Sequence, residues 1–306
     1  VEITGGVGNG ESAKVEVLED GRAVVYTGTS PHGQGHDTAW SMLVQEQTGI
    51  PMDKIELVWG DTDLVPIGTG TMGSRSLQQG GNAVFQVAGT LAEKAKSVAA
   101  RLLEVSEADV VLDKDRGAFH VVGTPAVTKT WADLAVAEKG TGGLLHDEVI
   151  NVAGATFPFG AHIAVVEVDT ETGRVKHLRQ VACDDAGKVL NPLLLDGQIH
   201  GGIAQGVAQA LLEEVLYDAD GNPTTSNLAD YGFISAAELP SVEVIHMETP
   251  TPVNAIGAKG IGESGTIGST PAIQSAVVDA VSHLGVKHIE MPCTAERVWR
   301  AIQAAQ

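Results

Sequence analysis

The sequence predicts an α+β fold. Strand-like and helix-like runs follow one another without strict alternation, which disfavours a doubly wound parallel sheet. The chain has 306 residues, 43% of them hydrophobic, enough for one large domain or two ordinary ones with a sizeable core. Neither an internal repeat nor a long low-complexity segment interrupts it.

The elements follow in order. Ala13 to Gly28 reads as a hairpin, with A-K-V-E-V-L and A-V-V-Y-T-G flanking the turn residues Glu19, Asp20 and Gly21. Asp37 to Glu46 has helical character, with Trp40, Leu43 and Val44 as its apolar side. Lys54 to Trp59 is a strand. Asn82 to Val105 is the longest helical pattern, with Val84, Val87, Leu91, Ala95 and Val98 recurring on one face. Val110 to Val122 reads as a second hairpin around Asp115 to Gly117, and Thr130 to Ala137 as a short helix with Thr130 as its cap. The Gly-Thr-Gly-Gly cluster within Gly140 to Leu145 is the linker candidate and divides the chain into subdomains 1–145 and 146–306. Beyond it, Ala161 to Val168 and Val175 to Ala182 are strands joined by Asp169 to Gly173. Leu193 to Leu216 is a helix containing Gly197, Gly201, Gly202 and Gly206. Each glycine costs a helix about 1 kcal/mol relative to Ala, so four of them imply a very close neighbour, backbone or ligand. Ser241 to Met247 is a strand. Pro271 to Leu284 and Thr294 to Gln303 are the closing helices.

Charge narrows the function. Lys and Arg number 19 and Asp and Glu 39, a formal net charge of −20. That argues against a nucleic-acid or anionic-membrane surface. No apolar run is long enough to span a bilayer, and no secretory signal is visible. Cys183 and Cys293 lie far apart without metal spacing, and read as reduced, buried thiols of a cytoplasmic protein. The chain opens at Val1 in strand-like sequence without an initiator Met, which suggests a fragment or a processed subunit.

Candidate chemistry sits in glycine-rich loops that lead into helices. Gly257 to Gly268 reads G-A-K-G-I-G-E-S-G-T-I-G and sets Glu263 and Lys259 among five glycines. A lone carboxylate in such a loop is suited to act as a general base, though it also reads as a helix-dipole partner. Thr29 to Trp40 reads T-S-P-H-G-Q-G-H-D-T-A-W, where backbone N–H groups at a helix entry favour an anion and Gln34, His36 and Thr38 add hydrogen bonds. It lacks the Gly-Lys-Ser/Thr ending of a Walker loop. The glycines between His32 and His36 weaken that pair as metal ligands. Gly68 to Gly81 reads G-T-G-T-M-G-S-R-S-L-Q-Q-G-G and repeats the anion-binding logic with Ser74 and Ser76. In Asp184 to Gln198, Asn191-Pro192 is a helix start, with any ligand role for Asp185, Asn191 or Gln198 additional to it. G-V-G-N-G-E, over 6–11, is a loop without the strand-to-helix setting of a dinucleotide fingerprint.

Taken together, GQGHDT, GSRS, LNP with DGQ, and KGIGESG, in that order through nearly the whole chain, resemble the xanthine oxidase/aldehyde oxidase family of molybdenum hydroxylases, including carbon monoxide dehydrogenase large subunits. The resemblance implies the second, C-terminal molybdopterin-binding domain. It implies a cofactor in the molybdopterin cytosine dinucleotide form carrying molybdenum, with no direct protein ligand to the metal. Gln34, Gly35, His36 and Thr38 would contact the pterin and its nucleotide extension. Met72, Gly73, Ser74 and Ser76 would line the next part, and Asp185, Leu190, Asn191 and Gln198 a third wall. Lys259 joins this cofactor-binding set. Glu263 corresponds to the family's active-site glutamate, the general base in oxidising an aldehyde, an N-heterocycle or carbon monoxide with water-derived oxygen. The chain shows no iron–sulfur cysteine pattern and no flavin domain. The resemblance therefore implies a first molybdenum-binding domain, an iron–sulfur subunit and an FAD subunit as partners, with little turnover by this chain alone. Ala186 stands where some relatives carry cysteine. The rival reading is a non-catalytic cofactor-binding or assembly module lacking the other half of the site.

Overall fold

A computed structural model describes residues 1–5, 10–152 and 154–305. The loop expected over 6–11 thus lies largely outside the described residues; Gly10 and Glu11 already belong to a strand. The chain forms two compact units. One comprises Ile3–Thr156 and Pro250–Gly260, the other Val1–Glu2, Phe157–Thr249 and Ile261–Gln306.

In the first unit, β1 (Gly10–Val17) and β2 (Ala23–Thr27) form the expected antiparallel hairpin, pairing Val15 with Val25 and Val17 with Ala23. β3 (Ile55–Val58) adds in parallel to β2. Helices α1 (His36–Thr48) and α2 (Asn82–Leu103) cover this sheet, and the alternating strand residues meet the helical stripe in one core. Val15, Val25, Trp40, Val44, Val84, Val87 and Leu91 are all fully or nearly fully buried. Burial of each such side chain stabilises the fold by about 1.5–3 kcal/mol. A second, three-stranded sheet contains β4 (Val110–Asp113), β5 (Ala118–Val121) and β6 (Thr124–Thr130). Helix α3 (Trp131–Glu138) follows with a full capping box between Thr130 and Asp133.

The boundary expected at Gly140 to Leu145 moves. That cluster is the turn after α3, and β7 (Leu144–Asn151) then pairs with β1 along its whole length, from Val17–Leu144 to Gly10–Asn151. Strand pairing keeps residues up to Thr156 in the first unit, and Pro250–Gly260 returns to it.

In the second unit, β8 (Phe159–Val168) and β9 (Val175–Asp185) are antiparallel, and β10 (Val242–Met247) lies parallel to β9. Helices α4 (Pro192–Leu211), α5 (Ser264–Val281) and α6 (Ala295–Ala305) complete it, with Ile199, Ile203, Val207, Ile273, Val277, Val298 and Ile302 in the core. α4 ends at Leu211, short of the expected Leu216.

α5 begins seven residues before the expected Pro271, which lies inside it. Proline is commonest in a helix's first turn; inside α5 it removes the N–H that would bond Ile267 O, while two hydroxyls beside it bond other carbonyls of the same stretch. Ser269 Oγ donates to Gly265 O at 2.7 Å and Thr270 Oγ1 to Thr266 O at 2.9 Å. Cys293 is buried, and burial pushes its thiol pKa up, whereas Cys183 is only half-buried; both are free thiols.

Candidate functional site

The first unit gathers three of the glycine-rich segments. Gly33 and Gly35 adopt positive φ, 99° and 82°, and turn the chain sharply into α1. Gly35 is the N-cap and offers no side chain, so no capping side chain occupies the space at the helix start. Gln34 Nε2 reaches Ser30 O at 3.3 Å and lies 3.1 Å from His36 Nε2. His36 is buried and stacks on Trp40, ring centroids 4.5 Å apart. Burial pushes its pKa down to about 4, so the imidazole is neutral in the physiological range. Thr38 is exposed in the first turn of the helix.

The second loop joins the first through Thr71 and Ser30, which the sequence motifs did not single out. Thr71 Oγ1 donates to Ser30 O at 2.8 Å, and Ser76 Oγ to Thr71 Oγ1 at 3.3 Å. Gly70, Gly73 and Ser74 all hold positive φ, and Ser74 does so at 52° without being glycine. A Cβ on Gly33 or Gly73 would meet nothing within 4 Å, so both backbones face open space. Met72 is half-exposed beside them. Ser76–Gly81 forms a π-helical turn directly before α2, in place of the irregular loop the glycines suggested.

Lys259 lies in the third segment and is buried. Asn254 fixes that segment: its Nδ2 donates to Ala258 O at 2.7 Å, and its Oδ1 accepts from Ala258 N at 3.2 Å. A Cβ on Gly260 would stand 2.2 Å from Ser74 O, so only glycine lets these two loops touch.

The second unit holds the remaining candidates. Asp185, fully buried at the end of β9, accepts from Gly187 N at 2.9 Å and Thr249 Oγ1 at 2.6 Å. Leu190 is half-buried. Asn191 caps α4 by accepting from Leu194 N at 3.2 Å, with Pro192 in the first turn as expected. Gln198 is half-buried on α4. Glu263 is exposed and is the N-cap residue of α5, without a side-chain cap bond. The motif K-G-I-G-E-S-G is therefore divided: Lys259 belongs to one compact unit and Glu263 to the other.

Of the four α4 glycines, two have the close neighbour the sequence called for. A Cβ on Gly206 would stand 1.9 Å from Ser269 Oγ, and one on Gly202 3.0 Å from Gly265 Cα. Gly197 and Gly201 face open space instead.

Among the described residues, no cluster of three or more His, Cys, Asp or Glu could hold a metal ion. What the loops offer a ligand is hydrogen bonds, bare backbone and an uncapped helix start, a donor set that fits a large phosphate-bearing organic group. Among the described residues, no helix is long and apolar enough to cross a membrane.

Similarity to known proteins agrees with that chemistry. A family model described as the molybdopterin cofactor-binding domain matches residues 1–240. The carbon monoxide dehydrogenase large chain of Hydrogenophaga pseudoflava is 39% identical over 304 residues, 97% of this chain and 38% of that one. Reconstituted CO dehydrogenase from Oligotropha carboxidovorans superposes with a TM-score of 0.91 at 36% identity, covering 99% of this chain and 40% of that chain. Quinoline 2-oxidoreductase from Pseudomonas putida 86 does so with a TM-score of 0.88 at 33% identity, covering 99% and 41%. The chain thus spans about two fifths of the relatives it matches. It belongs to the molybdopterin cofactor-binding domain family.

Proposed function

We propose that this chain is the part of a molybdenum hydroxylase that grips a molybdopterin cofactor, in its cytosine dinucleotide form, and presents Glu263 as the general base. The observation behind this reading is the setting of Glu263. It is an exposed carboxylate at the start of a helix whose first turn is fixed against α4. A base needs such a fixed backbone and an accessible carboxylate.

The cofactor, when bound, supplies Lewis-acid and electron-accepting chemistry at molybdenum. The protein binds and orients it. In the first unit, Gln34, Gly35, His36 and Thr38 offer donors at the start of α1, where anionic phosphate is favoured. Met72, Gly73, Ser74 and Ser76 bring bare backbone and hydroxyls alongside, and Lys259 adds positive charge. In the second unit, Asp185, Leu190, Asn191 and Gln198 contribute polar and apolar surface, and Glu263 takes up a proton at its carboxylate. The substrate is a small aldehyde, N-heterocycle or carbon monoxide, and the working place is the cytoplasm. A first molybdenum-binding domain, an iron–sulfur subunit and an FAD subunit complete the enzyme. A second reading is a cofactor-binding module without catalysis, in keeping with a family model described by cofactor binding alone. Glu263→Gln in the assembled enzyme separates the two: turnover collapses with molybdenum retained under the first, and stays near normal under the second.

A further inference from the structure

The loop that carries Met72, Ser74 and Ser76 is held by a buried ion pair outside every motif role assigned above. Arg75 is 1% exposed and Glu11 0%, and their guanidinium and carboxylate bond directly. Arg75 also donates to Gly70 O at 2.8 Å and to Gln79 Oε1 at 2.7 Å. Glu11 accepts from Thr69 N at 3.3 Å, and Thr69 Oγ1 donates to Gly10 O at 3.2 Å. The same carboxylate touches a second loop. A Cβ on Gly28, where β2 gives way to the segment leading to Gln34, would stand 2.4 Å from Glu11 Oε1 and 2.4 Å from Gly68 Cα. One buried charge pair thus meets the roots of both loops.

The loop needs such a restraint. Gly70, Gly73 and Ser74 hold positive φ within five residues, and a non-glycine residue keeps that conformation only where its surroundings over-determine it. A guanidinium's planar fork holds several bonds in one fixed geometry, which a lysine's rotatable ammonium does not. A buried ion pair is weak evidence for stability, because apolar residues of similar volume often do as well. Its directed bonds to Gly70 O and Thr69 N therefore point to shape.

We propose that Glu11 and Arg75 are positioning residues for the pterin cofactor, setting the Thr69–Ser76 backbone in the form that receives it. This rests on the cofactor reading above. The test uses the assembled enzyme with Arg75→Lys and with the double variant Glu11→Met/Arg75→Met, which leaves no unpaired buried charge. Pterin content and hydrogen exchange are both measured. The expected result is a loss of bound pterin of about tenfold or more, the range seen when groups supporting a bound centre are removed. Exchange at the amides of Thr69 to Gly73 rises while α1 and α2 keep their protection. Full pterin content with unchanged loop exchange in either variant overturns the proposal. So does a uniform loss of protection across α1, α2 and the loop in both variants, which would make the pair a general support. A wild-type complex without pterin overturns the cofactor reading and this inference with it; equal pterin in wild type and variants overturns this inference alone.

Discussion

Gly202 on α4 and Gly265 on α5 meet backbone to backbone. A Cβ placed on Gly202 would stand 3.0 Å from Gly265 Cα, and one on Gly265 would stand 2.8 Å from Ile199 O. This crossing fixes the first turn of the helix that Glu263 begins. Gly265→Ala pushes backbone against backbone, where no side chain can yield. We expect it to destabilise the unit by about 1–3 kcal/mol, the usual cost of overpacking. Gly197→Ala on the same helix meets nothing within 4 Å. There the gain in helix propensity stands alone, and stability should rise by up to about 1 kcal/mol. Denaturant titration of both variants checks the contrast, and equal effects of one sign would overturn the packing account.

Asn191 has a separable structural role. Its side chain caps α4 through Leu194 N. Asn191→Ala should cost about 1 kcal/mol, while Asn191→Asp, an equally good cap, should leave stability nearly unchanged. If Asn191 also contacts cofactor, Asp should still lower pterin content while the thermal midpoint holds, because a carboxylate repels phosphate. Measuring midpoint and pterin content on the same samples separates the two roles.

His36 predicts an acid-sensitive window. Its folded pKa is lowered by burial to about 4, below the ordinary value of 6.5. The unfolded chain therefore binds this proton more readily than the folded one. The stability contribution is fully present above pH 6.5, falls as pH drops toward about 4, and levels off below. The loss from this one group should be about 3 kcal/mol. Unfolding free energies between pH 7 and pH 4 should show that slope, and His36→Gln should flatten it. His177, lowered in the same direction by burial, contributes a slope of the same sign that His36→Gln leaves in place.

Much of this was legible in the sequence where periodicity and local chemistry agree. The β1–β2 hairpin and α2 follow from alternation and a helical stripe, and Thr130 and Asn191 mark their helix starts by side-chain chemistry that acts within three residues. The misses are non-local. β6 carries a proline and mostly exposed residues, so only its pairing with β5 makes it a strand. The Gly140 to Leu145 cluster looks like a linker until β7 is seen to pair with β1, more than 120 residues away. At the site, glycine-rich motifs flagged Gln34, Ser74 and Lys259. Thr71 and Glu11 escaped because their partners are set by tertiary folding, and Asn254 because its bonds to Ala258, four residues on, shape a loop without a periodic pattern.

Glu263 carries the sharpest prediction. Glutamine keeps the size of the side chain and removes its ability to accept a proton at neutral pH. The backbone at the start of α5 is fixed by the Gly202–Gly265 crossing and should not change. A general base contributes roughly 100- to 10,000-fold to a rate. In the assembled enzyme, Glu263→Gln should lower kcat by that order, while the chain folds normally and molybdenum and pterin contents match wild type. Glu263→Asp keeps a carboxylate but withdraws it by one methylene, and should retain intermediate activity, since a misplacement of about 1 Å costs on the order of 100-fold. A Gln variant with near-normal turnover would overturn the assignment. A variant that loses cofactor along with activity would instead make Glu263 a binding residue, and the ranking Glu above Asp above Gln would then appear in pterin content before it appears in kcat.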